Sequence, residues 1–450
     1  MSRVCVVGAG FVGLTTAVVM AMGSHNVTIV EIDQARVEQL LGGNVQFHEP
    51  GLSEAWRSLD IPVLLAMSFA ARQAQLHADV TVLCVPTPTS QAGAQVPNAL
   101  WAAAKEWAAA NSGGVLVIRS TVIPPILEQV TRELQRVASM SGVRLAHVPE
   151  FLAEGTALDD TRYPHRLVIG WAPGGSAEQK QRDTDTLIGL FAPHDPDCPE
   201  CPVFLTTLAT AAMVKYSSNT MLASRLSTLQ TLAGICEASG ADMDVVSNAL
   251  ATDDRIGSQY LHAGAGWGGS CFPKDVSAIA THAREIGVGA MLLTTIIQSN
   301  RDDCSWPVVQ IAQCREAPLR VAWLGLSFKP GTSDTRQSPS VQALSVLLYS
   351  HWVAKQLKVR VHDPQAVLPD FTYDDPVQQM VSAIDAARGA NVLVLATAWP
   401  QYRTILPSLL AVMDERPLIL DCRGLWSHVT RADLPIGGEY LRFGAPPIRR

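Results

Sequence analysis

Apolar runs bounded by polar loops carrying glycine or proline recur along the first part of the chain. "RVCVVGAG" leads into the helical pattern "LTTAVVMA", and "NVTIVEID", "ADVTVLCVPTPT", "GGVLVIRSTVIPP" and "VRLAHVPEFLAEG" repeat the theme. Each run is short enough for a buried strand, and the polar stretches between them leave room for crossover helices. Such alternation predicts a parallel, doubly wound α/β sheet whose loops gather at the carboxyl ends of the strands. From Thr206 the pattern changes to "TTLATAAMVKYSSNTMLASRLSTLQTLAGICEASG", a proline-free helical run longer than most globular helices. That length suits a spine between domains. After Pro307 the alternation returns in "LRVAWLGLSFKPG", "LKVRVHDP", "ANVLVLATAW" and "PLILDCRG". Three segments are therefore expected: a first α/β domain over 1–202, a central helical part over 203–306, and a second α/β domain over 307–450.

Composition narrows the functional classes. With 450 residues the chain is too long for a single core. It is 48% hydrophobic and 17% charged, as an ordinary globular protein is, and no apolar run approaches the roughly 18 residues that span a membrane. Neither a signal peptide nor a membrane association is expected, because the N-terminus enters a strand at once. A net charge of −7 without a long basic block argues against nucleic acid. Nine cysteines without a framework pattern point to a reducing, cytoplasmic setting. Cys198 and Cys201 lie close together in "DPDCPECP", with His194 nearby, but no second C-x-x-C accompanies them. A proline-rich surface loop is the expected reading, and no metal is assigned.

Gly8, Gly10 and Gly13 fit G-x-G-x-x-G between a strand and a helix, the signature of a Rossmann-like dinucleotide site. Gly8 suits a tight turn, Gly10 lets a pyrophosphate approach the backbone, and Gly13 lets helix and strand pack closely. Glu31 closes the second strand, where an acid binds ribose hydroxyls and repels a 2′-phosphate, so NAD is the expected cofactor. The loops at Pro86–Thr89, Ser120–Pro125 and Pro149–Gly155 should converge on the same end of the sheet, bringing Glu150 and Glu154 with them. Lys215 and Asn219 share a face of the long helix, and periodicity alone leaves a solvated face and a polar ligand equally open. Lys329, Arg336 and several hydroxyls give the first loop of the second α/β half a composition suited to phosphate. Two nucleotide-binding halves suggest two nucleotide-bearing ligands.

The stretch "GAGWGGSCFPKD" holds the most specific chemistry. Pro273 marks a helix start, which places Cys271 at or beside the N-cap, where the dipole and nearby N–H groups favour a thiolate. Lys274 adds positive charge, Asp275 follows one turn later, and the glycines let a ligand and the backbone approach closely. Cys5 and Cys84, inside apolar strands, read instead as buried hydrophobes. A dinucleotide site with an activated thiol can carry an alcohol to an acid with two NAD. Cysteine adds to the intermediate aldehyde, and a second hydride loss leaves a thioester for water to open.

The motifs "GAGFVG", "EPGL", "CVPTPT", "STV", "PEFLAEG", "KYSSN", "DDRIG", "GWGGSCFPKD" and "GLSFKPGTSDTR" occur in this order along nearly the whole chain. In that series the chain resembles the UDP-glucose/GDP-mannose dehydrogenase family. The resemblance implies two Rossmann-like domains joined by a long helix that also forms a homodimer. It implies oxidation of the C6 alcohol of a nucleotide sugar to a carboxylate, with UDP-glucose favoured by "PHRLVIG" and Arg166 and GDP-mannose or dTDP-glucose as alternatives. It makes Cys271 the thioester-forming nucleophile and sets Lys215 and Asn219 on the substrate oxygen. Asp275, Thr121 and Glu154 become members of a water and proton network. Gly8, Gly10, Phe11, Val12, Gly13, Glu31, Pro86, Thr87, Thr121, Glu150, Glu154, Lys274 and Arg336 form the implied NAD set. Glu150, Phe151, Leu152, Glu154, Lys215, Asn219, Arg255, Tyr260, Gly268, Cys271, Phe328 and Lys329 form the implied substrate set, with Lys274 close to it. The chain departs from the pattern at Ala212, at "HDP" over 362–364 and at "DCRGLW", where Cys422 and Gly424 are atypical. A two-electron dehydrogenase of the hydroxyacid type would need neither Cys271 nor the second α/β half. A silent nucleotide-sugar sensor would not need the set Lys215, Asn219, Cys271 and Asp275.

Overall fold

The computed structural model describes residues 1–66, 68–110, 113–137, 143–192, 201–314, 318–350, 356–370 and 376–450. Cys198 and His194 lie outside the described residues. The chain forms two compact units, Met1–Ser218 with Thr281–Val288, and Asn219–Ala280 with Gly289–Arg450. No helix among the described residues is long and apolar enough to cross a membrane.

The first unit is built on β1 (Arg3–Val7), β2 (Asn26–Glu31), β3 (Val63–Leu65), β4 (Val80–Leu83), β5 (Val115–Ile118), β6 (Leu145–His147), β7 (Leu167–Trp171) and β8 (Val203–Thr207). Their order is β3-β2-β1-β4-β5-β6-β7-β8. Pairing is parallel except between β6 and β7, which run antiparallel. The apolar runs β4 and β5 are buried at every position, as strands covered on both faces must be. Strand order reverses between β1 and β4, which makes the crevice beyond their carboxyl ends the place for a ligand. The sheet extends past residue 202, because "VFLTT" pairs with β7 as an edge strand before the long helix begins.

The second unit repeats the plan with β9 (Leu319–Leu324), β10 (Leu357–His362), β11 (Val377–Gln379), β12 (Val392–Leu395), β13 (Leu418–Asp421), β14 (Glu439–Arg442) and β15 (Ile448–Arg449). The order is β11-β10-β9-β12-β13-β14-β15, with only the last pair antiparallel. The correspondence reaches the strand ends. Gly8 and Gly325 both follow the first strand with φ +97°, and side chains there would strike the loops at Cys84 and Thr397. At the end of the second strand Glu31 accepts from the Ala9 N–H (2.7 Å), and just past its counterpart β10 Asp363 accepts from Leu326 N–H (2.7 Å). In each sheet, then, a buried carboxylate ties down the first glycine turn.

The helix Leu208–Ser239 continues out of β8 and runs for 32 residues, about 48 Å at 1.5 Å per residue. Its buried positions include Ala212, Lys215, Tyr216, Asn219, Ala223, Ser227, Gln230 and Ala233, a stripe of helical period. Leu229 and Ala233 join Met243, Trp323 and Leu344 in the core of the second unit. Each such large apolar side chain stabilises by roughly 1.5–3 kcal/mol when fully buried. Lys215 and Asn219 sit on the buried stripe, only 2% and 6% exposed, so the solvated-face alternative for them does not hold.

Candidate active site

The first unit presents the glycine turn. Gly10 caps the helix Phe11–Met22 without any side-chain cap, which leaves first-turn N–H groups available to an anion. A Cβ at Gly10 would meet nothing within 4 Å, whereas one at Gly13 would strike the Gly8 carbonyl. A Cβ at Gly8 or Gly13 would strike protein atoms and one at Gly10 would not, so the turn has open space at Gly10 and fits a dinucleotide. Glu31 is buried, and its carboxylate is engaged by the protein itself. It accepts from the N–H groups of Ala9, Ile32 (2.8 Å) and Asp33 (3.0 Å) and pairs with Arg36 at 3.1 Å. Arg36 was not visible as a partner in the sequence. Phe11 packs its ring on Phe47 at 4.8 Å, and Val12 lies against the core.

Around the strand ends, Thr87 is buried while Pro86 is exposed. The Thr121 carbonyl accepts from Thr87 Oγ1 (2.8 Å) and from Gln95 Nε2 (2.7 Å), so two side chains fix the "STV" loop. Lys215 Nζ lies 2.8 Å from Glu150 Oε1, and both side chains are almost wholly buried. Burial pushes the Glu150 carboxyl up, but the Lys215 charge and hydrogen bond, with Arg119 and the Leu152 N–H, bring it below its ordinary value. Phe151 stands beside the pair, 5.7 Å from Lys215 Nζ and stacked at 3.9 Å under the Arg166 guanidinium. Arg166 also donates to Ser218 Oγ (3.0 Å). Glu154 is buried in the loop that follows Leu152.

The second unit presents the cysteine loop. The Cys271 carbonyl accepts from Asp275 N–H (3.0 Å), the first bond of the helix Phe272–Glu285, so Cys271 is its N-cap. Its Sγ lies 3.7 Å from Ser270 Oγ. Asp275, 1% exposed, accepts from Asn219 Nδ2 at 2.6 Å and pairs with Lys274 Nζ at 2.5 Å. The ammonium of Lys274 is therefore directed at the carboxylate.

The glycines before Cys271 answer to protein neighbours more than the sequence alone suggests. A Cβ at Gly268 would collide with the Gln337 carbonyl and Pro339, and one at Gly269 (φ +88°) would lie 2.8 Å from the Phe328 ring. Asn300 holds the Trp267 backbone on both sides (2.7 and 2.9 Å), and the Trp267 indole donates to Ser227 Oγ (2.9 Å). Arg423, half-buried in the atypical "DCRGLW" stretch, donates to the Gly266 carbonyl at 2.8 Å, and Ala265 N–H to the Cys422 carbonyl at 3.0 Å. The loop is held from several sides, Phe328 adjoins it at Gly269, and Lys329 Nζ lies 5.7 Å from the Phe328 ring. Asn300 and Arg423 escape sequence reading because their partners are backbone atoms far away in the chain. Tyr260 has a left-handed backbone (φ 57°) and sets its ring 6.5 Å from Phe272. Arg255 and Arg336 are exposed and paired with Asp253 and Asp334 (both 2.6 Å).

Comparison with known proteins matches three family models in order. They are the UDP-glucose/GDP-mannose dehydrogenase NAD binding domain over residues 2–188, the central domain over 209–302 and the UDP binding domain over 322–428. A UDP-glucose 6-dehydrogenase of Pseudomonas aeruginosa is 32% identical, over 99% of this chain and 98% of its own. The UDP-glucose 6-dehydrogenase AglM of Haloferax volcanii is 35% identical over 95% and 97%. The solved structure of a UDP-glucose dehydrogenase from Pyrobaculum islandicum is similar with TM-score 0.80 and 30% identity, covering 95% of each chain.

Proposed function

Since the chain belongs to the UDP-glucose/GDP-mannose dehydrogenase family, and its first domain to that family's NAD-binding type, we propose that it oxidises the C6 alcohol of UDP-glucose to the carboxylate of UDP-glucuronate. The observation that carries this reading is a cysteine at a helix N-cap with a buried aspartate one turn inside, held by Asn219 and Lys274. In this reading residues 1–202 bind NAD, 203–306 carry the reacting groups, and 307–450 bind the nucleotide of the sugar.

NAD, when bound, supplies the hydride acceptor for both oxidations. The alcohol first loses a hydride and a proton to give the aldehyde. Lys215, whose ammonium has donors beyond the one used by Glu150, and Asn219 stabilise charge on the reacting oxygen. The Cys271 thiol then adds across the carbonyl to give a thiohemiacetal, and loss of its hydride, to a second NAD, and of its hydroxyl proton turns the adduct into a thioester. Water, oriented by Asp275 with Thr121 and Glu154, attacks the acyl carbon. The C–S bond breaks, the carboxylate departs and the thiol recovers its proton. Limiting UDP-glucose with excess NAD should release about two NADH per sugar, whereas GDP-mannose and dTDP-glucose should release little. One NADH per UDP-glucose would refute the four-electron course, and two from GDP-mannose or dTDP-glucose alone would reassign the substrate.

The reading includes a cytoplasmic homodimer. No cysteine among the described residues is in a disulfide. The long helix exposes Thr210, Met213, Ser217, Met221, Thr228 and Ile235, an uncharged stripe of helical period suited to a second copy of the same helix. Sedimentation should give twice the chain mass, and Met221→Glu should give the monomer; a monomeric wild type would remove the dimer from this reading.

A further inference from the structure

Of the ordered motifs, "EPGL" has no part in the chemistry so far. In the first unit it forms a rigid turn. The Glu49 carbonyl accepts from Leu52 N–H (3.2 Å), Gly51 takes φ +75°, and Leu52 is fully buried. The turn presents the Glu49 side chain, itself only 4% exposed, to a loop more than a hundred residues later. Glu49 Oε2 accepts from the Gly155 N–H at 2.6 Å and Oε1 from the Ala157 N–H at 2.7 Å. Both bonds are short and charge-assisted, the strong class of backbone contact.

Both N–H groups lie just C-terminal to Glu154. On its N-terminal side, Asp160 accepts from Ala153 N–H (2.8 Å) and Glu150 Oε2 from Leu152 N–H (3.0 Å), and Asp160 also accepts from Thr156 Oγ1 (2.9 Å). Backbone donors at 152, 153, 155 and 157 therefore all end on carboxylates. Gly155 takes φ +89°, so the backbone at the centre of the loop is in a conformation that favours glycine. Two of the four donors, at 152 and 153, are held by acids close in sequence, which follow wherever the loop goes. The other two, at 155 and 157, both end on Glu49, which ties the part of the loop after Glu154 to an element more than a hundred residues away.

We propose that Glu49 is a positioning residue for Glu154, fixing the backbone on its C-terminal side so that its carboxylate is held where the water and proton network needs it. The inference rests on the role given to Glu154 above. A carboxylate serves this purpose better than an amide, because each of its two oxygens is matched to one N–H. Glu49→Gln keeps one acceptor and turns an NH2 towards a donor, which releases one anchor.

The experiment compares the full-length enzymes Glu49→Gln, Glu154→Gln and the double variant in steady-state assays with UDP-glucose and NAD. Glu49→Gln should lower kcat about ten-fold with both KM values within about two-fold of wild type, a displacement effect and not a binding effect. In the Glu154→Gln background the same change should cost little more, because the group it positions is already gone. Unchanged kcat in Glu49→Gln beside a disabled Glu154→Gln would overturn the inference, as would equal and additive losses in both backgrounds. Wild-type turnover in Glu154→Gln would instead overturn the role of Glu154, and the inference with it. If Glu49→Gln does not fold, Glu49→Asp takes its place, with the same pattern of kcat loss and non-additivity expected.

Discussion

Cys271→Ser produces NADH from UDP-glucose but almost no UDP-glucuronate, with carboxylate formation lowered about 10³-fold or more: this is the largest effect expected of any single substitution. A serine at the same N-cap keeps the backbone bond from Asp275 and the neighbouring Ser270, so the loop geometry should survive. The chemistry does not survive. A thiol with an ordinary pKa near 8.5 supplies an appreciable anion population around neutral pH and an aliphatic hydroxyl supplies practically none, so the aldehyde finds no nucleophile. The product ratio makes the check. Quantifying NADH and uronate together in single-turnover and steady-state runs should show at most one NADH per sugar in the variant. Uronate at the wild-type rate would sink the thioester course.

Lys215→Met should be the most damaging change to stability and a severe one to turnover. Its removal strands the Glu150 carboxylate in the interior, and breaking a buried pair typically costs about 3–5 kcal/mol. The loss of charge stabilisation at the reacting oxygen should lower kcat by about 10²–10³-fold. The pH dependence carries a sign that identifies the cause. In the wild type the net effect on Glu150 is a lowered pKa, so the pair adds stability above the unfolded carboxyl pKa and loses it as pH falls through the folded value. Without Lys215 burial dominates and raises the pKa, so the penalty grows as pH rises above the unfolded value. Urea unfolding at pH 5 and pH 8 should therefore show a larger wild-type-to-variant gap at pH 8. Adding Glu150→Gln should restore much of the stability and none of the activity. A gap independent of pH would mean that lost packing, and not a stranded charge, is the cause.

The strand pattern alone placed the centre of both sheets, because buried parallel strands are continuous apolar runs between polar loops. The outer strands β3, β7, β8, β11, β14 and β15 did not stand out, and Thr206–Thr207 read as helix although they end β8. Gly8, Gly10 and Gly13 were readable for a similar reason: a turn, a close contact and an open approach each leave only glycine. Cys271 at a helix start was readable from Pro273 and the flanking charges. The antiparallel step between β6 and β7 was not, since an apolar run has no direction written into it. Nor was the face of Lys215 and Asn219, because a helical period gives spacing without saying which side is covered.

What the sequence determined by itself is local and chemical: which runs form strands, where the chain must turn tightly, and which residue types stand ready to bind a phosphate or attack a carbonyl. What only the tertiary structure decided is which of these groups meet. Glu150 finds Lys215, Asp275 finds Asn219, and Glu49 finds Gly155 across separations from 56 to 106 residues. The glycines before Cys271 owe their identity to Phe328, Gln337 and Pro339. Periodicity is a property of neighbours along the chain, whereas a buried charge is satisfied by whatever the fold brings within hydrogen-bonding distance, and one chain read alone carries no record of that meeting.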